Sequence, residues 1–142
     1  MMTDILIANV EEAPAILGEM LPAGRWAALS GWKGLEPAKM QSLTDIAATT
    51  LNVSSHKLKM PLVGGQKTGG PLLLEVGVPF RDLFSALTPA QERTVADEWV
   101  KTEELRMEGW SQSDSRRFVK ELVQVSKSAK SKGKNLLLWM TW

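Results

Sequence analysis

The last eight residues of the chain, Asn135-Leu-Leu-Leu-Trp-Met-Thr-Trp142, decide the fold. Successive side chains of a strand point to opposite faces of the sheet. Here both alternating sets are apolar: Leu136, Leu138 and Met140 on one face, Leu137 and Trp139 on the other. A strand that is apolar on both faces is covered on both sides, so we predict that residues 135–142 form a strand in the middle of a sheet.

Two more segments are predicted to be strands of this sheet. Asp4 to Val10 contains the apolar run Ile5-Leu6-Ile7-Ala8, and Leu72 to Val78 is another short apolar run. Short apolar runs between polar or Gly-rich segments are typical of buried strands. Together with residues 135–142 they predict a three-stranded sheet, whose strand order the sequence does not reveal.

Apolar residues at helical spacing predict one helix after the first predicted strand and a second helix after the segment Arg25 to Leu35. The first helix has Glu11 and Glu12 in its first turn, where acids favour the helix dipole, and it stops at Pro22 and Gly24. The second spans Pro37 to Leu51, because proline suits the first helical position and apolar residues then recur every three or four positions.

Capping residues mark two later helices. Thr88-Pro89-Ala90-Gln91 combines an N-cap, a proline at the first helical position and a glutamine three residues after the cap, and this helix should run to about Arg106. Ser111 or Ser113 can cap the last helix, which should end near Gly133. The apolar stripe of that helix consists of Phe118, Leu122, Val125 and Ala129.

The remaining segments, Arg25 to Leu35 and the polar, Gly-rich stretch Asn52 to Pro71, are predicted to be surface loops. We find no internal repeat and no linker that would divide the chain. The predicted fold class is therefore α/β of the α+β kind: a single compact domain of residues 1–142. A small three-stranded sheet packs with four or five helices, which can cover both of its faces.

Composition and charge exclude several classes of function. The chain has 142 residues, enough for one globular domain, and its net charge of +1 implies no bulk attraction to nucleic acid or to a membrane surface. It contains no cysteine and one histidine, which removes disulfides, thiol nucleophiles and Cys or His metal clusters. The acidic start lacks a secretory signal, and no apolar run approaches the roughly 20 residues of a membrane span. We expect a cytoplasmic protein.

Candidate catalytic and ligand-binding residues are few. Gly64 to Gly70 resembles a phosphate-binding loop, but Gln66 and Pro61 stand where that loop requires glycine. No serine lies in a nucleophile elbow, and no acid pair has metal-ligand spacing. We therefore predict no catalytic residue, no metal site and no cofactor. The candidates for a small-molecule pocket near the Gly-rich loop are His56, Lys67 and Glu75.

The chain contains six tryptophans and no tyrosine. Three of them fall in apolar stretches and are expected in the core: Trp99, Trp139 and Trp142. The other three fall in predicted loops, where a large ring serves either as an interface anchor or as a lid on the core: Trp26, Trp32 and Trp110.

An acidic stretch lies in and after the third predicted helix. It consists of Glu98, Glu103, Glu104 and Glu108, with Asp97 nearby. One interpretation is an ordinary solvated helix face. The other is a docking patch for a basic partner, since complementary charge speeds association and enforces specificity.

The order of several motifs resembles that of a known group of proteins. These motifs are Asp4-Ile5-Leu6-Ile7-Ala8, Lys33-Gly34-Leu35, Trp99 followed by Thr102-Glu103-Glu104-Leu105, Gly109-Trp110-Ser111, Gly133-Lys134 and Leu136-Leu137-Leu138-Trp139-Met140. Outside the Gly-rich middle, they are similar to small bacterial cytoplasmic proteins of unknown function, and more distantly to the YfbM-like proteins. The resemblance carries no active site. It implies an accessory protein of the kind that often serves as the immunity partner of a toxin.

The resulting hypothesis is a non-enzymatic protein-binding module, an immunity protein that binds and neutralises a cognate bacterial toxin acting in the cytosol. Trp32 and Trp110 are its predicted anchors, and Glu103, Glu104 and Glu108 are predicted to steer a basic toxin surface. The alternative is a small ligand-binding domain or enzyme with a pocket near the Gly-rich loop. A nucleic-acid role would depend only on the lysines near the end of the last helix.

Overall fold

Antiparallel strands form a single five-stranded sheet in the part of the chain that the computed structural model describes, residues 1–65 and 70–141. The strands are β1 (Met2–Ile7), β2 (Ala28–Lys33), β3 (Leu62–Gly65), β4 (Leu72–Glu75) and β5 (Leu136–Thr141). Their order across the sheet is β2-β1-β5-β4-β3. The prediction that the last strand lies mid-sheet is confirmed, because β5 pairs with β1 on one side and β4 on the other.

Six α-helices accompany the sheet within the described residues. They are α1 (Ala13–Leu17), α2 (Pro37–Thr50), α3 (Val78–Ser85), α4 (Pro89–Trp99), α5 (Glu103–Met107) and α6 (Gln112–Ser131). The predicted second helix and the Thr88 cap of α4 are confirmed, and Ser111 rather than Ser113 caps α6. None of the helices in residues 1–65 and 70–141 is long and apolar enough to cross a membrane.

The predicted number of strands is wrong, because both edge strands lie in segments predicted to be loops. β2 falls within Arg25 to Leu35 and β3 within Asn52 to Pro71. Each of them has one residue more than the opposing stretch of its neighbour, at Ser30–Gly31 in β2 and at Val63 in β3. Such a bulge breaks the alternation of apolar and polar residues that identifies a strand in a sequence. The α+β class and the single compact domain agree with the structure.

Several element boundaries also differ from the prediction. The first helix, which was expected to continue until Pro22, ends at Leu17. The apolar run that begins at Leu72 ends as a strand at Glu75, and the helix α3 follows, because Gly77 adopts φ +105° and Pro79 lies in the first turn of that helix. The predicted helix from Thr88 to Arg106 is broken after Trp99, where the Thr102 hydroxyl donates to the Trp99 carbonyl at 2.6 Å. The short helix α5 is therefore a separate element.

Helices cover the two faces of the sheet unequally. The larger core lies between one face and the helices α2, α3, α4 and α6. On the other face, the short helix α1 packs against Leu137 and Trp139 of β5, and the side chain of Ile16 is fully buried there. A Cβ atom added at Gly64 would lie 2.6 Å from Leu17, so glycine allows β3 to approach α1 closely. Trp99 and Trp139 are core residues, as predicted, whereas Trp142 lies outside the described residues.

Candidate partner-binding surface

Trp32 is part of the core, and its prediction as a loop residue is wrong. It lies in β2 opposite Thr3, and only 7% of it is exposed. Its indole N–H donates to Glu121 at 3.2 Å, and the Arg117 guanidinium lies 4.6 Å from the centre of its ring. A side chain so fully enclosed has almost no surface left for a partner to bury. Trp32 therefore supports its neighbours rather than anchoring a partner directly.

Trp110 lies against Trp32 and is half-buried. The two rings stack at a centroid distance of 5.1 Å and an angle of 16°. Trp99 and Phe118 meet the Trp110 ring edge-on, at 5.2 and 5.9 Å. We call these four residues the aromatic cluster. Trp110 is its outermost member and is held rigidly, because three buried rings contact it.

The helix α5 precedes Trp110 and brings the predicted acids to the surface. Glu103 and Glu104 lie in its first turn, where they favour the helix dipole. Gly109 ends the helix with φ +73°, which allows the Trp110 N–H to donate to the Leu105 carbonyl at 3.1 Å. Leu105 is the one buried residue of α5, so the rest of this helix faces solvent.

Met107 is the residue of this surface that our sequence reasoning missed. Its side chain is 80% exposed, and with Lys101, Glu103 and Arg106 it lines a cleft of about 550 Å³. A methionine between two charged residues, just beyond the predicted helix end at about Arg106, was the available signal. We call Glu103, Glu104, Met107, Glu108 and Trp110 the α5 surface.

Glu108 has a structural partner, which limits its predicted steering role. Its carboxylate lies 2.5 Å from the Lys39 ammonium group, which also donates to the Gly34 carbonyl. The Lys39 side chain is only 3% exposed, whereas that of Glu108 is 41% exposed. Glu108 therefore neutralises a buried cation. The sequence signal for this ion pair was Lys39, which lies four residues before Leu43 on the buried stripe of α2.

The other acids of the predicted stretch are also paired. Two hydrogen bonds from the Arg116 guanidinium, at 2.8 and 2.9 Å, lower the pKa of Asp97. Glu98 accepts from Lys101 at 3.0 Å. Within residues 1–65 and 70–141, neither Glu103 nor Glu104 takes part in an ion pair. The unpaired negative charge of this stretch is thus concentrated on α5.

The two candidate pocket residues that the structure describes, His56 and Glu75, have different hydrogen-bond partners. Glu75 is the last residue of β4, whereas the Gly-rich loop precedes the first residue of that strand. The Glu75 carboxylate accepts a hydrogen bond from the Asn135 side chain at 3.2 Å. The backbone carbonyl of His56 accepts from the Gln41 side chain at 3.0 Å. Lys67 lies outside the described residues. In the described part of the chain, no group of three or more acidic or histidine side chains could hold a metal ion.

A second polar cluster, at the end of the sheet where β5 begins, is internally satisfied. Glu12 accepts from the Asn9 backbone N–H at 2.7 Å and from the Trp26 indole and Lys134 ammonium groups, each at 3.3 Å. The Asn9 hydrogen bond is the main reason why the pKa of Glu12 is lowered. Trp26, a predicted interface candidate, is half-buried here against the smaller core. These contacts hold the chain ends of neighbouring strands together.

Comparisons of the chain with family models, with curated proteins and with solved structures find no match. The resemblance to the YfbM-like proteins therefore stays a prediction, and the α5 surface is the strongest candidate site that the described residues offer.

Proposed function

We propose that this chain is a non-enzymatic protein-binding module, an immunity protein that binds and neutralises a cognate bacterial toxin in the cytosol. The observation that carries the proposal is the α5 surface. It combines the exposed Met107 and the rigidly held Trp110 with the exposed carboxylates of Glu103 and Glu104. An apolar centre with charged neighbours is the usual anatomy of a protein interface.

Rigid aromatic residues favour tight binding, because little side-chain freedom is lost when a partner covers them. Trp110 meets this condition, since Trp32 supports one face of its ring and Trp99 and Phe118 contact it edge-on. The role predicted for two anchors is thus divided: Trp110 contacts the partner, and Trp32 holds Trp110 in place.

The charges of the α5 surface specify the partner's chemistry. The carboxylates of Glu103 and Glu104 would accelerate encounter with a basic surface and disfavour an acidic one. We therefore propose that the toxin presents lysine or arginine side chains around an apolar pocket that receives Met107 and the outer part of Trp110.

Affinity capture from cells that naturally produce the protein tests this proposal, with Met107→Ser as the test variant. Met20→Ser is its matched control, because Met20 is 90% exposed but lies outside the α5 surface. We expect the wild type and Met20→Ser each to retain one partner protein in a stoichiometric complex. Met107→Ser should retain at least tenfold less of that partner, which corresponds to a loss of about 1.4 kcal/mol of binding free energy.

Co-expression then tests neutralisation. The captured protein should arrest growth when produced alone, and the chain should relieve that arrest. Equal capture by the two methionine variants would remove the α5 surface from the interface. A chain that comes out alone, and whose Tm rises with a nucleotide, sugar or metal ion, would favour the small ligand-binding alternative instead.

A further inference from the structure

Within residues 1–65 and 70–141, one polar contact joins residues 103–110, which we call the α5 cap, to a distant element. The hydrogen bonds of Arg106, Gly109 and Trp110 stay within the cap or reach the adjoining Thr102. Among the hydrogen bonds of the described residues, only the bond from Lys39 to Glu108 joins the cap to a distant element. The apolar contacts of the cap come from Leu105 and Trp110, which pack against the larger core.

The Lys39–Glu108 pair is asymmetric in burial. The ammonium group of Lys39 is enclosed, while the carboxylate of Glu108 reaches solvent. The site is also tight, because a Cβ atom added at Gly34 would lie 3.1 Å from the ammonium nitrogen and 3.4 Å from the Glu108 carboxylate. A buried cation that loses its only carboxylate is strongly disfavoured, whereas an apolar side chain in its place is tolerated. The pair therefore positions the cap more than it stabilises the whole fold.

We propose that the Lys39–Glu108 ion pair is a latch that holds the α5 cap closed over the aromatic cluster. When it is released, the cap opens as a unit between Thr102 and Ser111, where the chain leaves α4 and enters α6. Opening removes the Trp110 ring from Trp32 and exposes the face on which the two rings stack. Local openings of this kind use segments with few buried side chains, and the cap has one fully buried residue, Leu105, and the half-buried Trp110.

The latch is a property of the free chain, but its use as a gate depends on the proposed function. The closed cap presents Met107 and Trp110 in fixed positions, and the open cap does not. A partner that binds the α5 surface would therefore favour the latched state and lower the population of the open state by mass action.

Hydrogen exchange of the free protein, followed by mass spectrometry, tests the latch without a partner. In Glu108→Gln we expect amides of residues 103–110 to exchange about tenfold faster than in the wild type, because a charged hydrogen bond is lost. Glu104→Gln is the matched control. It removes one exposed charge from the first turn of α5 and loses only an interaction with the helix dipole, so it should accelerate this exchange much less than Glu108→Gln does.

Lys39→Met provides a second variant that does not strand a buried charge. We expect its cap to exchange faster while its Tm stays equal to or above that of the wild type. The latch would be overturned if the amides of the cap in Lys39→Met exchanged at the wild-type rate. It would also be overturned if Glu108→Gln and Glu104→Gln accelerated this exchange equally. Because no partner is present, failure of the latch leaves the capture result intact, and a chain without a toxin partner would still show the latch.

Discussion

Among single residues, Asp4 shows most clearly how a buried charge shapes this sheet. It lies on β1 opposite Trp139, and its carboxylate accepts the Gly31 N–H at 3.3 Å. That hydrogen bond holds the extra residue of β2, where the register shifts between Thr3 and Ile5. Burial nevertheless disfavours the charged form and raises the pKa of Asp4 above its ordinary value of 3.8. The acid thus shapes the edge of the sheet at a cost in stability at neutral pH.

Asp4→Asn should stabilise the protein at pH 7. Because the pKa of Asp4 is raised in the folded state, the protonated form of Asp4 is the one that favours folding. Its contribution to stability is complete below about pH 3.8 and is lost as the pH rises through the folded pKa. Asparagine retains an oxygen for the Gly31 N–H but carries no charge. We expect a Tm a few degrees above the wild type at pH 7, with the difference shrinking towards pH 3.5. A difference of the same size at both pH values would contradict this explanation.

The residues of the candidate site show where sequence reasoning stops. Local pattern placed Glu103 and Glu104 on an exposed helix, and the structure agrees. It could not show that Trp32 is buried, because the ring that stacks on it, Trp110, is distant in the chain. The partner of Glu108 was missed for the same reason, since the two members of that ion pair lie 69 positions apart. Contacts of this kind depend on the tertiary fold and leave no periodic signal.

Among the elements, those with a complete local code were predictable. The helix α4 carries a capping box and a first-turn proline, and α6 carries a capping box and a long apolar stripe. The central strand β5 is apolar on both faces. The edge strands β2 and β3 lack such a code, because each is half-exposed and contains a bulge with glycine beside it. The five-residue helix α5 was merged with α4 because nothing as strong as a proline separates them.

Ser111 and Ser113, the two residues predicted as alternative N-caps of α6, provide a matched pair of sites for substitution. The Ser111 hydroxyl accepts the Asp114 N–H at 3.0 Å, whereas Ser113 lies inside the first turn and is exposed. Ser111→Ala should lower the free energy of unfolding by about 1 kcal/mol, measured by urea denaturation, and Ser113→Ala should change it by much less. Equal effects of the two substitutions would show that the cap contributes nothing specific.

At the scale of the whole molecule, both free edges of the sheet are poor templates for a further strand. β2 and β3 each have a register shift, and Gly31 and Gly65 in them adopt positive φ angles. Bulges of this kind twist an edge away from the flat geometry that edge-to-edge pairing requires. The proposed partner is therefore expected to use a helical surface rather than a sheet edge, and α5 projects exposed side chains into solvent.

Acid stability is a second property of the whole molecule, and three carboxylates with lowered pKa values contribute to it. Backbone hydrogen bonding by Asn9 and Ser111 lowers the pKa of Glu12 and Asp114 respectively, and Arg116 lowers that of Asp97. Each ionised carboxylate contributes to the stability of the fold. That contribution is complete above the pKa of the unfolded chain, about 4.5 for glutamate and 3.8 for aspartate, and is lost as the pH falls through the folded pKa. Their joint effect opposes that of the buried acid on β1.

The Tm of the wild type should therefore fall as the pH drops below about 4.5, the ordinary value for Glu12. Glu12→Gln removes the charge that accepts from Asn9 and Lys134, so we expect a lower Tm than the wild type at pH 7 and converging curves in acid. Glu11→Gln is the control, because the neighbouring Glu11 is exposed, and it should follow the wild-type curve throughout. Calorimetric scans between pH 7 and pH 2.5 measure all three proteins. If the Glu12→Gln curve ran parallel to the wild type, the cluster at the end of β1 would stabilise the fold through packing and neutral hydrogen bonds rather than through charge.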